Sequence, residues 1–126
     1  MTSYFILLLI AGALNIAVSD RRMVMLCAVV GFGISVPIPD HNFYAWCAVV
    51  EVFVMACALA LNTAASRPVV ALSLSLCAFH YLGYKFNGYP PDSPYHFLVK
   101  ITEHAELAAC ALFSKPLMGR LKHASK

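Results

Sequence analysis

Charge is scarce in this chain. Asp, Glu, Lys and Arg make up 12% of its 126 residues, about half the share of an average soluble domain. With 61% hydrophobic residues, it lacks the polar surface to cover a core in water. The net charge of +3 is small and scattered, so no nucleic-acid partner is expected. The five cysteines, Cys27, Cys47, Cys57, Cys77 and Cys110, form no CxxC pair or disulfide spacing. All lie in apolar runs and read as small buried hydrophobes. GxSxG, HExxH, the phosphate-binding loop and the dinucleotide glycine pattern are missing, so nucleophilic, zinc-peptidase and nucleotide chemistry have no foothold and no enzyme is expected. A strict GxxxG, internal repeats and low-complexity segments are absent as well.

What the chain has instead is long apolar runs, with a mean hydropathy of +0.75. Five emerge, at about 2–18, 23–38, 43–61, 68–86 and 94–114, followed by a basic tail at 115–126. Runs of roughly 18–20 residues reach about 27–30 Å as helix, the thickness of a bilayer core. A backbone in lipid must satisfy its own hydrogen bonds, and the polar alternation of a barrel strand is lacking. The expected fold is therefore all-α: one transmembrane domain over 1–126, a polytopic bundle of about five helices. Gly31, Gly33, Pro37 and Pro39 crowd the second run, so four spans with a re-entrant or kinked second segment is the alternative. Met1–Ser19 reads as a retained first span, because Arg21 and Arg22 follow its apolar core where a signal peptide would carry them before it.

Local signals punctuate the runs. Asp40 or Asn42 is expected to cap the third helix and Ser66 the fourth, with Pro68 in its first turn. Ser93-Pro94 opens the fifth after the 87–92 loop. Small residues at packing spacing, Ala13 with Ala17, Ala56 with Ala60 and Ala105 with Ala109, offer close helix contacts. Arg21, Arg22, Arg67, Lys115, Arg120, Lys122 and Lys126 all fall on one side of a five-helix topology. The N-terminus is then outside and the C-terminus cytoplasmic. Tyr44, Trp46, Tyr84, Phe86, Tyr89, Tyr95 and Phe97 gather at the opposite boundary as an aromatic belt.

Into this apolar background are set Glu51, His80, Lys100, Glu103, His104 and Glu106. A charge at bilayer depth costs at least about 2.5–3.5 kcal/mol, so such residues face a protein interior or a water-filled cavity. Glu51, His80 and His104 fall roughly 10–15 Å below the outer boundary, each on a different helix. Ser73, Cys77, His80 and Tyr84 share a face of the fourth helix. Cys47, Glu51 and Met55 align on the third, and Lys100, Glu103, His104, Glu106 and Cys110 make the fifth amphipathic.

Glu51, His80, Tyr84, Lys100, Glu103, His104 and Glu106 are thus the candidate polar cluster or ion pathway. Lys100 pairing with Glu103 or His104 is the bland alternative. No cofactor is the default expectation, and His80 and His104 are the candidates were haem or a divalent metal bound. Asp40, His41, Asp92 and His96 gather at the outer face and read as solvated loop. Asn15 is expected to bond across helices, and Ser73 and Ser75 to bond back to helix carbonyls.

Three functions follow from different classes. The first is a small oligomeric membrane protein forming an ion, proton or translocation pathway lined by helices four and five. The second is an anchor or accessory subunit of a membrane complex, with or without haem or metal. The third is a holin-like permeabilising protein. The expected partners are the lipid bilayer and either further copies or a membrane complex. Short loops point to a bacterial or phage-encoded inner-membrane setting.

Overall fold

Apolar runs bounded by Gly, Pro, Asn and Asp become helices in the computed structural model, which describes residues 2–39, 42–86, 88, 93–115 and 118–119. Among these are five α-helices and no strand: α1 Thr2–Ala17, α2 Arg21–Ser35, α3 Phe43–Leu61, α4 Ser66–Lys85 and α5 Pro94–Leu112. Asp40, His41, Tyr89, Asp92, Arg120, Lys122 and Lys126 lie outside the described residues.

By length and composition, α3 is the one helix among the described residues suited to cross a membrane, and α1 is a shorter apolar helix. The expected five spans are met in that sense only at α3. The reasons are physical. Helix α2 has 15 residues, α4 carries Ser66, Ser73, Ser75 and His80, and α5 carries Lys100, Glu103 and Glu106.

The helix ends explain several departures from expectation. Helix α2 stops at Ser35, short of the expected 38, because Val36 turns extended (φ −64°, ψ 131°) ahead of Pro37, as residues before proline favour. Its start is capped by Asp20, whose Oδ1 accepts from the Met23 amide at 3.3 Å. Asn42 precedes α3 in a left-handed conformation and makes no side-chain cap bond. Ser66 is not the cap of α4 either. It is the first helical residue, and its Oγ reaches back to accept from the Thr63 amide at 2.7 Å. Ser93 precedes α5 in extended form without a side-chain cap bond, and Pro94 occupies the first turn.

Consecutive helices pack as neighbours, α5 closes the ring against α1, and α2 leans inward to touch α5 as well. One end, here the upper, gathers the starts of α1, α3 and α5 and the ends of α2 and α4, with the Tyr44 and Tyr95 rings 5.8 Å apart. The lower end gathers the α1–α2 and α3–α4 connections and the end of α5, where Lys115 stands 3.9 Å from Asp20.

The core lies toward the lower end and is filled by Ala11, Leu26, Val30, Val54, Val69 and Leu107. Asn15 is fully buried among them and donates to the carbonyls of Ala11 and Cys110, the second on α5. The expected small-residue contacts are mostly not used: Ala13, Ala17, Ala56 and Ala60 are exposed and only Ala109 is buried. Glycine takes that part, since a Cβ on Gly31 would stand 2.7 Å from Leu8 and one on Gly33 2.9 Å from Val54. Gly31 and Gly33, which weaken α2 as an isolated helix, let α1 and α3 approach it.

Candidate functional site

The upper half is hollow. A half-open cavity of about 460 Å³ runs from Val36, Ile38 and Phe43 at the upper end down to Glu51 and Glu103. Helices α3 and α5 supply most of its wall, α4 contributes His80, α1 Tyr4 and α2 Gly33 and Ile34. Of the sequence candidates, Glu51, His80, Lys100 and Glu103 line it together. His96, from the outer loop group, lines it too. Glu106 lies buried outside that lining, and Tyr84 is exposed on the outer surface of the bundle.

Two buried pairs join neighbouring helices. The Ser73 hydroxyl on α4 donates to Glu106 Oε1 at 2.6 Å across the α4–α5 contact, and Glu51 on α3 lies within reach of the same hydroxyl. Ser73 therefore ties α4 to α5, with Glu51 of α3 at the same level. It does not bond back to its own helix, whereas Ser75 does, to the Ala71 carbonyl at 3.1 Å. Glu51 Oε2 is buried and without a hydrogen-bond partner, an exception that asks for a reason.

Higher up, His80 Nδ1 and the Tyr95 hydroxyl share a hydrogen bond of 2.9 Å, both side chains buried. The third holding group is the start of α1. The Tyr4 hydroxyl lies near the Glu103 carboxyl, and its ring lies 4.0 Å from that of His104. Ser3 Oγ meets His104 Nε2 at 2.7 Å, while His104 Nδ1 meets the Lys100 carbonyl at 2.8 Å. A carbonyl only accepts, so Nδ1 carries the proton and, in the neutral ring, Nε2 accepts from Ser3. His104 is thus spoken for on both nitrogens.

The expected ion pairs of Lys100 do not form: among the described residues the one ion pair within 4.0 Å is Lys115 with Asp20. Lys100 is exposed, at the edge of the cavity. Nor do the two candidate ligand histidines serve together. His80 is engaged by Tyr95 and His104 by Ser3, and no three His, Cys, Asp or Glu among the described residues are placed to hold a metal ion.

Ser3, Tyr4, Ser73 and Tyr95 were not distinguished as site residues by sequence. Tyr95 read as a belt aromatic and Ser73 as a self-satisfied helix serine. Ser3 and Tyr4 carried one legible signal, polar groups in the first turn of an otherwise apolar helix. The site can bind a proton or a small cation on carboxyls, with imidazole and phenol groups close above them. No family model, no curated protein and no solved structure matches the chain.

Proposed function

We propose that the chain is a small polytopic membrane protein whose upper cavity admits protons or small cations to the Glu51–Ser73–Glu106 level. The carrying observation is the buried, unpartnered Glu51 Oε2 on the lining of a half-open cavity that also carries His80, Lys100 and Glu103. An orphaned carboxylate oxygen in a dry core would be costly. At the wall of a hydrated cavity it is a place for water, a proton or a cation.

Membrane residence is supported by the inside-out distribution of side chains. Every helix turns large apolar residues outward, among them Leu9 (71% exposed), Phe32 (56%), Leu59 (67%), Leu74 (60%) and Ile101 (50%). In water such a surface would be an association liability, whereas lipid covers it without cost. The charged and polar groups of α4 and α5 that lower their hydropathy point largely inward, to the cavity and the Ser73 level. Helices α1 and α2, of 16 and 15 residues, reach only roughly 22–24 Å. The apolar segment Val36–Pro39 lengthens α2, and local thinning of the bilayer accommodates the rest. The basic lower end then faces the cytoplasm.

This cavity forms the upper half of the path. Below it, Leu26, Val54 and Leu107 close the way, and passage across the whole bundle is gated there. The test is proton or monovalent-cation flux into liposomes containing the purified protein. We expect flux above protein-free liposomes, most of it lost in Glu51→Gln with the fold retained. Parent protein indistinguishable from empty liposomes, or Glu51→Gln indistinguishable from the parent, would remove the proposal.

A further inference from the structure

The lower end carries a second cavity that the proton or cation reading leaves unused. It is a cleft of about 620 Å³ where the α1–α2 connection, the α3–α4 connection and the end of α5 converge. Arg21, Arg22 and Lys115 line it, with Asn62 and Thr63 as neutral polar groups and Phe113 as an apolar wall. Three cations face a single carboxylate, Asp20, and that carboxylate is committed: Oδ1 caps the Met23 amide and Oδ2 stands 3.9 Å from Lys115. Arg21, Arg22 and Lys115 are all exposed, free to meet a ligand.

Their placement is informative. Arg21 and Arg22 are the first two residues of α2, where the helix dipole disfavours cations and favours anions. For stability alone, this is a poor position for two arginines. A bound anion would reverse the balance, because amides and guanidinium groups then point at the same charge.

A second cavity tells the anions apart. A groove of about 460 Å³ on the outer face is lined by Ile16, Val24 and Met25, and it shares Ser19 and Arg21 with the cleft. The charged cleft therefore continues into an apolar trough along α1 and α2. A free phosphate has no use for such a trough. A lipid phosphate carries acyl chains that fit one.

We propose that the cleft holds the phosphate of an anionic phospholipid, with one acyl chain along Ile16, Val24 and Met25. A zwitterionic headgroup is disfavoured because its own cation would sit among Arg21, Arg22 and Lys115. The proposal rests on membrane residence but not on flux through the upper cavity.

The test uses the full chain reconstituted in bilayers of equal phosphatidylglycerol and phosphatidylcholine with matched acyl chains. The lipid that stays bound after detergent extraction is then quantified by mass spectrometry. We expect phosphatidylglycerol to be retained over phosphatidylcholine. Each of Arg22→Gln and Lys115→Gln should cut that preference by about fivefold, the effect of one basic residue near an anionic surface. Arg67→Gln removes the same charge from the same end but outside the cleft lining, and should leave the preference unchanged.

Loss of preference in Arg67→Gln equal to that in Arg22→Gln would mean diffuse surface charge and overturn the site. Displacement of phosphatidylglycerol by millimolar inorganic phosphate would assign the cleft to free phosphate and overturn the lipid. Incorporation into bilayers with no preference overturns this proposal alone. Failure to incorporate at all overturns membrane residence with it.

Discussion

Between Glu106 and the lower-end cleft the five helices are close-packed: Leu26, Val30, Val54, Val69 and Leu107 are buried against one another, and the Asn15 amide nitrogen donates there to two backbone carbonyls. Above it the same helices enclose about 460 Å³ and set Glu51, His80, Lys100 and Glu103 around it. The lower half is held by close packing. The upper half is held by hydrogen bonds between helices: Ser73 to Glu106, His80 to Tyr95 and Ser3 to His104. Packing concentrated at one end leaves the other free to stay open and polar. Interiors are otherwise close-packed, so a hollow of this size has to be supported from elsewhere in the fold.

The contrast breaks most readily in the packed half. We expect Leu107→Ala to cost about 2–5 kcal/mol, read by denaturant unfolding in detergent. Val99→Ala, on the cavity wall, should cost about 1 kcal/mol or less, because the removed methyl groups already face space. Equal costs would mean that the two halves are packed alike.

Next in size is Ser73→Ala. It leaves the Glu106 carboxyl buried without its donor, at about 1–3 kcal/mol. Tyr95→Phe removes one shared hydrogen bond and should cost about 0.5–1.5 kcal/mol. If Ser73→Ala is silent while Tyr95→Phe is not, Ser73 does not tie α4 to α5. The smallest effect is expected of Lys100→Leu, within about 0.5 kcal/mol, as for an exposed residue without an ion-pair partner. A loss of several kcal/mol there would restore the buried pair that the residue spacing suggested.

Helix number and placement were legible because apolar runs in this chain are separated by residues that stop helices. Pro94 after Ser93 marks a start that the sequence reading finds, whereas Pro37 and the Asp20 cap are equally local signals that the expected second run of 23–38 passes over. The partners of buried groups could not be read in the same way. Whether Ser73 bonds its own helix or Glu106 depends on how far α4 is rotated against α5, which no short-range signal encodes. The same holds for Lys100, where i, i+3 and i, i+4 spacing allowed pairs with Glu103 and His104 that do not form, the His104 ring being taken by Ser3 from α1. The small alanines failed for a related reason: four of the six lie on outward faces, and spacing alone does not say which way a face turns.

The five native cysteines offer the most direct test of the difference between the halves. Cys47 lines the cavity, while Cys110 is fully buried in the packed half. Two variants, each keeping one of these cysteines and replacing the others with serine or alanine, would be reconstituted in vesicles and exposed to a small, membrane-impermeant thiol reagent. We expect Cys47 to be modified from the upper side in intact vesicles, and Cys110 only after the protein is unfolded. Protection of Cys47 to the same degree as Cys110, or modification of Cys110 as fast as Cys47, would contradict a hollow upper half above a closed lower one.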